Sequence, residues 1–366
     1  MCSSDLDADT VVATGDLTLN DFITEVQPYS VTMQGANNTF TQAIDFTNTG
    51  LVTLGVGGGD TFDFNGGLSF SQNAPSAING TIRTSGDAID FGSGGVTVAG
   101  NSSVATDNGV AAGEAISFGG TVTGGGIDLS LDAGTDGAIT FSAADAAGAV
   151  TLQTLTLTDA ASVAIAGDLT LTTLTTTGED YTLSLTGSTN TITNDLQVSS
   201  TGLLTLGNGG GDTFTLTNGL DLTVGDPAVS FGAAITTVGN DVDFGTGAVT
   251  LTANSTVDTT NAGGFADGQN IVFGDTVEGG FDLGLTAGGV GTINFNGADD
   301  AITLNNLTLT SAASSTIAGN LAVNDLITTA DVVDVTMTGA INTFDAEVDF
   351  INTGSTTFGD GGGFVG

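Results

Sequence analysis

The chain has 366 residues with 41 Asp and Glu, a single Lys or Arg and no His, which gives a formal net charge of −40. This balance disfavours nucleic acid as a partner, because binding phosphate requires Lys and Arg. The single cysteine, Cys2, excludes an intrachain disulfide. No run of 18 apolar residues is present, so we expect no direct membrane insertion.

The N-terminal residues 1–12 are interpreted as a tail outside the pattern that follows. The stretch Met1 to Thr10 has no basic residue and no apolar core, so it does not read as a signal peptide. The rest of the chain starts and stops inside a repeat. We therefore interpret the sequence as a fragment of a longer protein.

A long internal repeat organises the chain, with the same spacing from Gly50 to Gly202 as from Gly202 to Gly354. A glycine-rich stretch at 49–62 recurs at 201–214 and, in degraded form, from residue 353. The pattern predicts a first repeat at 13–164, a second at 165–316 and a partial third at 317–366, in one continuous array. Small insertions change the offset by one to three positions and then disappear, as expected when insertions fall in turns.

Short alternating runs such as Ala88-Ile89-Asp90-Phe91 occur every ten or so residues, separated by Gly-Gly, Asn-Gly and Asp-Gly steps. Such period-2 runs with glycine turns predict β-strands, and nothing helical persists beyond a turn. The fold class predicted is all-β, a parallel β-solenoid rod with coils of about 18–27 residues and six or seven coils per repeat. Tandem β-sandwich modules are the alternative. One wall of the coil is predicted to carry the phenylalanines at 46, 64, 91, 118 and 141.

The most suggestive motif for a ligand is Gly55–Phe62, with its copy at Gly207–Phe214. It resembles the calcium-binding nonapeptide of RTX repeats, which makes Asp60 and Asp212 weak calcium candidates. The second glycine of that nonapeptide is replaced in both copies, and the motif occurs once per long repeat rather than in tandem. In the third version Phe364 stands at the aspartate position. The alternative interpretation is a glycine-rich turn.

Catalysis is not expected. The single cation, Arg83, is matched by Thr236 in the second repeat, so the pattern does not require it. Without His or Lys, catalytic triads and most metal sites are excluded. Glycoside hydrolysis would need a pair of carboxylates in a cleft, and the many Asp residues have structural roles in turns.

The phrases Ile116–Gly125, Ile127–Gly134 and Leu155–Thr158 resemble the β-strand repeats of large bacterial surface proteins, the filamentous-haemagglutinin-like and autotransporter-type adhesins. The resemblance implies a right-handed parallel β-helix shaft that is extracellular or held on the outer cell surface. It also implies contacts with surface glycans or proteins of a host or a neighbouring cell. No binding residues carry over from that family.

The function expected is therefore a non-catalytic structural stalk of a secreted or cell-surface adhesin-like protein, without a cofactor other than calcium. The first alternative is a calcium- or carbohydrate-binding module on an acidic solenoid face, and the more remote one is a carbohydrate-active β-helix enzyme. A binding module should show a carboxylate cluster in one copy of the repeat alone. Uncapped terminal coils would favour end-to-end self-association.

Overall fold

The computed structural model describes residues 9–143, 149–297, 301–346, 348–359 and 363–365. This part of the chain is all-β without a helix, and its strands form a single parallel sheet wound into a β-solenoid of about 15 turns. The parallel pairing confirms the predicted solenoid and is not that of tandem sandwiches. Cys2 and the rest of residues 1–8 lie outside the described part. Within it, no helix is long and apolar enough to span a bilayer.

The chain divides into two compact units, Met1–Thr182 and Leu183–Gly366. The strands of the first unit are β1 (Thr10–Ala13), β2 (Leu17–Leu19), β3 (Ser30–Met33), β4 (Asn37–Phe40), β5 (Ile44–Asp45), β6 (Val52–Leu54), β7 (Thr61–Phe64), β8 (Leu68–Ser69), β9 (Ser76–Ile78), β10 (Thr81–Arg83), β11 (Ile89–Asp90), β12 (Val96–Val98), β13 (Ser102–Ala105), β14 (Ile116–Phe118), β15 (Val122–Asp132), β16 (Ala138–Phe141), β17 (Val150–Leu157), β18 (Ser162–Ile165) and β19 (Leu169–Thr176). The repeat boundaries at residues 13, 165 and 317 are defined by the sequence and stay a prediction.

The strands of the second unit begin with β20 at the unit boundary. They are β20 (Thr182–Leu185), β21 (Thr189–Ile192), β22 (Leu196–Gln197), β23 (Leu204–Leu206), β24 (Thr213–Leu216), β25 (Leu220–Asp221), β26 (Val229–Phe231), β27 (Ala234–Thr237), β28 (Val242–Asp243), β29 (Val249–Leu251), β30 (Ser255–Asp258), β31 (Ile271–Phe273), β32 (Val277–Glu278), β33 (Leu283–Thr286), β34 (Thr292–Phe295), β35 (Ala301–Ile317), β36 (Asn320–Met337), β37 (Ile341–Phe344), β38 (Val348–Phe350), β39 (Thr356–Phe358) and β40 (Gly363–Val365).

Each coil of the first unit crosses three ladders, and each ladder pairs a strand with its counterparts one coil before and after. The β1 ladder contains β1, β3, β6, β9, β12 and the first halves of β15, β17 and β19. The β2 ladder contains β2, β4, β7, β10, β13 and the second halves of β15, β17 and β19. The β5 ladder contains β5, β8, β11, β14, β16 and β18.

The second unit also has three ladders, each named here by its first strand. The β20 ladder runs through β23, β26, β29 and β32 to the starts of β35 and β36 and on to β37 and β40. The β21 ladder runs through β24, β27, β30 and β33 to the middles of β35 and β36 and on to β38. The β22 ladder runs through β25, β28, β31 and β34 to the ends of β35 and β36 and on to β39.

Coil length varies because insertions are accommodated in turns while the ladders keep their register. The coil is as short as 19 residues where Thr154 pairs with Thr173, and the Thr177 hydroxyl there bonds Thr158. It reaches 29 residues where Val242 pairs with Ile271, beside the bond between Asp241 and Asn270. The longest coil therefore exceeds the predicted upper limit, and its extra residues lie between β30 and β31.

Inward side chains alternate with outward ones along every strand, and phenylalanines stack from coil to coil. In the first unit Phe91, Phe118 and Phe141 stack with ring centroids 4.9 and 4.7 Å apart. The prediction for Phe64 was wrong, because it stacks on Phe40 along the β2 ladder. Its predicted place between Phe46 and Phe91 is taken by the ring of Phe70. Complete burial of each such side chain contributes roughly 1.5–3 kcal/mol relative to exposure.

The long repeat does not contain a whole number of coils. Thr10 lies on the β1 ladder, whereas Ser162, at the equivalent position of the next repeat, lies on the β5 ladder. Likewise Leu17 lies on the β2 ladder and Leu169 on the β1 ladder. Between β1 and β18 the chain completes six coils and then crosses two further ladders. Equivalent residues of successive repeats therefore occupy different ladders.

The second unit shows the same displacement independently. Leu183 lies on the β20 ladder, whereas Val335, its equivalent in the next repeat, lies on the β22 ladder. Local contacts nevertheless recur at each equivalent position. The best example is a buried asparagine whose Nδ2 donates to the carbonyl oxygen three residues earlier, at Asn38, Asn190 and Asn342. The repeat therefore preserves local structure while changing the ladder on which it appears.

Candidate functional site

The glycine-rich turn that carries Asp60 is closed by the aspartate itself. The Oδ2 atom of Asp60 accepts hydrogen bonds from the backbone N–H groups of Val56 and Gly57, at 2.9 and 3.0 Å. The next strand, β7, begins directly afterwards. The carboxylate thus satisfies two backbone donors that the tight turn leaves without a ladder partner.

Asp212 repeats this arrangement in the second unit, accepting from Asn208 and Gly209 at 2.8 and 3.2 Å. Within the described residues, no group of three or more His, Cys, Asp or Glu is arranged to hold a metal ion. The two calcium candidates are therefore not brought together with further carboxylates, and the geometry favours the turn. Calcium binding at Asp60 and Asp212 stays a prediction, and the side chain of Phe364 lies outside the described part.

We expect Asp60→Ala to lower the free energy of unfolding by about 1–2 kcal/mol, because two backbone donors lose their shared acceptor. Millimolar calcium should leave the melting temperature of the wild-type chain unchanged if the carboxylate serves the turn alone. Thermal unfolding with and without calcium measures both effects. The exposed Asp136→Ala is the matched control, and a calcium-dependent rise that Asp60→Ala abolishes would restore the metal site.

Arg83 pairs with Asp63, which lies directly beside it on the β2 ladder. The guanidinium Nε donates to one carboxylate oxygen and Nη2 to the other, the latter at 3.4 Å. In the second unit the same neighbouring positions hold Thr236 and Thr215. Both partners of the ion pair are therefore replaced together, which indicates a cross-strand structural role for Arg83 rather than a catalytic one.

An acidic cavity of about 380 Å³ lies in the second unit, and the sequence analysis did not single out its residues. Its carboxylates come from the β22 ladder and the turns beside it. Asp221 on β25 and Asp243 on β28 are direct neighbours on that ladder. The lining residues are Asp195, Asn218, Leu220, Asp221, Thr223, Asn240, Asp241, Asp243, Asn270 and Val272.

Local donors orient the carboxylates of the cavity. The Oδ1 atom of Asp221 accepts from the backbone N–H and the hydroxyl of Thr223, and that of Asp243 accepts from the N–H of Gly245. Asp241 accepts from the N–H of Asn270 at 2.9 Å. The turn before Asn270 is held by the buried Thr259 (0% exposed), whose hydroxyl bonds both the N–H and the carbonyl of Gln269.

The first repeat has a different arrangement at the equivalent positions. There the four carboxylate positions hold Ala43, Ser69, Ala88 and Asp90, although an aspartate replaces Asn240. Along the β5 ladder Asp45, Ser69 and Asp90 alternate acid and hydroxyl, and the Ser69 hydroxyl donates to Asp45 at 3.0 Å. The adjacent pair Asp221 and Asp243 is therefore particular to the second repeat.

Burial and like charge both act on the acids of this cavity. Burial raises the pKa of Asp243, and the charges of Asp221, Asp241 and Asp226 raise it further, against a hydrogen bond from Gly245. The pKa of Asp195 is raised by burial and by Asp221 and Asp241. Ionisation of the cavity therefore opposes folding, since neighbouring carboxylates on one sheet face repel.

Mild acidification is expected to stabilise the chain. The pKa values of Asp132, Asp195 and Asp243 are raised above the ordinary 3.8, mainly by burial. A raised folded-state pKa gives stability that is complete below the unfolded value and is lost as pH rises through the folded value. Asp16 and Asp334, whose pKa values are lowered by hydrogen bonds, act oppositely below 3.8. The melting temperature should rise from neutral pH down towards pH 4 and fall beyond it.

The double variant Asp195→Asn/Asp243→Asn tests the source of this effect. It removes two of the three acids with raised pKa values, so its melting temperature should exceed that of the wild type at pH 7 and vary less between pH 7 and pH 4. Asp136→Asn, which changes an exposed acid, controls for net charge. An equal pH slope in wild type and double variant would assign the effect to overall charge instead.

Comparison with protein-family models, with curated proteins and with solved structures found no match for this chain. The described geometry is that of a β-helix repeat protein.

Proposed function

We propose that this chain is a non-catalytic structural segment, a stalk of a secreted or outer-surface protein of the adhesin type. The observation that supports a structural role is the continuity of in-register parallel pairing through the described coils of each unit. Every coil buries apolar side chains against the coils on either side, as solenoids must. The polar side chains at the repeated turns, such as Asp60 and Asp212, are used to close those turns.

The extracellular location rests on composition and on the resemblance to surface adhesins. A charge of −40 keeps a long repeat protein soluble and repels nucleic acid and anionic surfaces. Stability comes from stacking rather than from disulfides, since the chain has one cysteine. Partners in this setting are glycans or proteins of a host or neighbouring cell surface, contacted without a cofactor.

A length measurement tests the stalk. If each repeat adds six and two-thirds coils, a variant with residues 165–316 duplicated should gain about 30 Å in maximum dimension by small-angle X-ray scattering, at roughly 4.8 Å per coil. An unchanged maximum dimension would contradict the stalk. A duplication of residues 201–214 alone, which adds a turn without a complete repeat, is the control and should add no such length.

The acidic cavity favours a second candidate, a carbohydrate-binding module. Its carboxylates and the amides of Asn218, Asn240 and Asn270 provide acceptors and donors suited to sugar hydroxyls, above the apolar Leu220 and Val272. A neutral glycan array probed with the wild type and with Asp221→Asn/Asp243→Asn tests it, with Asp45→Asn as the control. Binding lost in the double variant alone supports the module, and no binding to any glycan contradicts it. Release of reducing ends would indicate the enzyme alternative.

A further inference from the structure

The outward surface of the first unit is divided by charge according to ladder. Outward residues on the β2 ladder include Asp63, Arg83 and Asp128, and those on the β5 ladder include Asp45 and Asp90. The β1 ladder is different. From β3 to the first half of β19 its strands present one outward column without a charged residue: Thr32, Thr53, Ala77, Thr97, Thr123, Thr151 and Thr170.

The neighbourhood of this threonine column is also uncharged over its first five coils. Two positions before each member the chain has Ser30, Leu51, Pro75, Gly95 and Thr121, and two positions after it has Gln34, Gly55, Asn79, Ala99 and Gly125. Thr97, Thr123 and Thr170 are exposed, and the other members are half-buried. The column is therefore a solvent-accessible strip of hydroxyl and small side chains.

We propose that the threonine column is a lateral contact surface for a second copy of this chain. With a net charge of −40, two copies that approach through other ladders bring carboxylates together in a low-dielectric contact. The column is a face on which two copies can approach without that penalty. Its flat, small side chains allow close packing, and threonine hydroxyls both donate and accept hydrogen bonds.

The size of the column sets the strength of the contact. Six ladder steps from Thr32 to Thr170 span roughly 29 Å, and a strip about 12 Å wide then gives about 350 Å² per copy, well below the roughly 800 Å² of a stable interface. The association is therefore weak and reversible. It strengthens as salt screens the repulsion between the remaining acidic surfaces.

The second unit offers a natural contrast. Its equivalent column on the β20 ladder reads Ser184, Thr205, Ser230, Thr250, Glu278, Thr303, Ala322 and Thr343. Glu278, an exposed carboxylate, interrupts it. Removing that charge completes a second uncharged column, so Glu278→Thr should strengthen association.

Sedimentation velocity of the full chain over a concentration series, at low salt and at about 0.5 M salt, tests the proposal. The wild type should associate reversibly and more tightly at the higher salt. Thr97→Asp should weaken association by about tenfold or more, because it opposes like charges across the contact, and Glu278→Thr should strengthen it. Thr175→Asp is the matched control, an exposed threonine on the β2 ladder with the same change in charge. A wild type that stays monomeric at every concentration, or equal weakening by Thr97→Asp and Thr175→Asp, would overturn the proposal.

Discussion

We expect Phe118→Ala to destabilise the first unit by about 3–5 kcal/mol, because it leaves a cavity within a continuous aromatic stack. Phe118 is fully buried (0% exposed) and its ring lies 4.9 Å from that of Phe91 and 4.7 Å from that of Phe141. The truncation removes stacking on both sides as well as apolar burial. In a solenoid each coil contacts its two neighbours, so the two coils flanking Phe118 have no other partner on that side.

Hydrogen exchange followed by mass spectrometry measures this effect coil by coil. Protection should fall in β11, β14 and β16, which surround the stack, before it falls in β1 or β2. Phe265→Ala is the control, because that ring is 47% exposed and its loss should change stability by less than about 1 kcal/mol. Equal losses for the two variants would show that the described stack is not the source of stability.

A single methyl group at Gly113 should destabilise the same unit by more than about 2 kcal/mol, for two reasons that add. Gly113 has φ +59°, a left-handed conformation that costs a residue with a Cβ roughly 1–2 kcal/mol. A Cβ there would also overlap the carbonyl oxygen of Ala133 in the next coil. The equivalent Gly268 has φ +58° and faces Ala287 in the same way, so both repeats need glycine at this close approach.

Two further glycines separate the two costs in Gly113→Ala. Gly109 has φ +84°, and a Cβ added there would meet no atom within 4 Å, so Gly109→Ala should cost the conformational term alone. A Cβ at Gly125 would likewise meet no atom within 4 Å, and the φ of Gly125 lies outside the left-handed region. Gly125→Ala should therefore be neutral or slightly stabilising. Urea unfolding ranks the three variants, and a Gly113→Ala variant as stable as Gly125→Ala would contradict the close packing of adjacent coils.

The strands and their inward faces could be predicted from the sequence because they depend on local patterns. Alternating runs such as Ala88–Phe91 identify which side chains point inward, and glycine steps identify the turns between them. The vertical partner of a side chain is harder to predict, because it depends on the length of each coil. Phe64 was assigned to the wrong stack for this reason, since its coil also contains Phe70 at the position that completes the stack.

The displacement of the repeat between ladders could not be predicted from the length of the repeat. That length is compatible with six or seven whole coils, and the extra two ladders appear once the strands of each coil are counted. The acidic cavity was missed for a related reason. Asp221 and Asp243 lie a full coil apart in the chain, and they become neighbours when the register of β25 and β28 is known. By contrast, Asp60 is used by its own turn, and its role follows from local contacts with Val56 and Gly57.

Parallel in-register stacking of coils is the central claim, and a designed cross-link tests it most directly. Ser103 on β13 and Ser130 on β15 are direct neighbours on the β2 ladder, within the Cα separation of about 4.4–6.8 Å that a disulfide requires. In a Cys2→Ser background, Ser103→Cys/Ser130→Cys should form an intramolecular disulfide under mild oxidation. The offset pair Ser103→Cys/Asp132→Cys, displaced by two residues along the strand, should form far less. A preference for the offset pair, or no cross-link in either variant, would contradict the solenoid register.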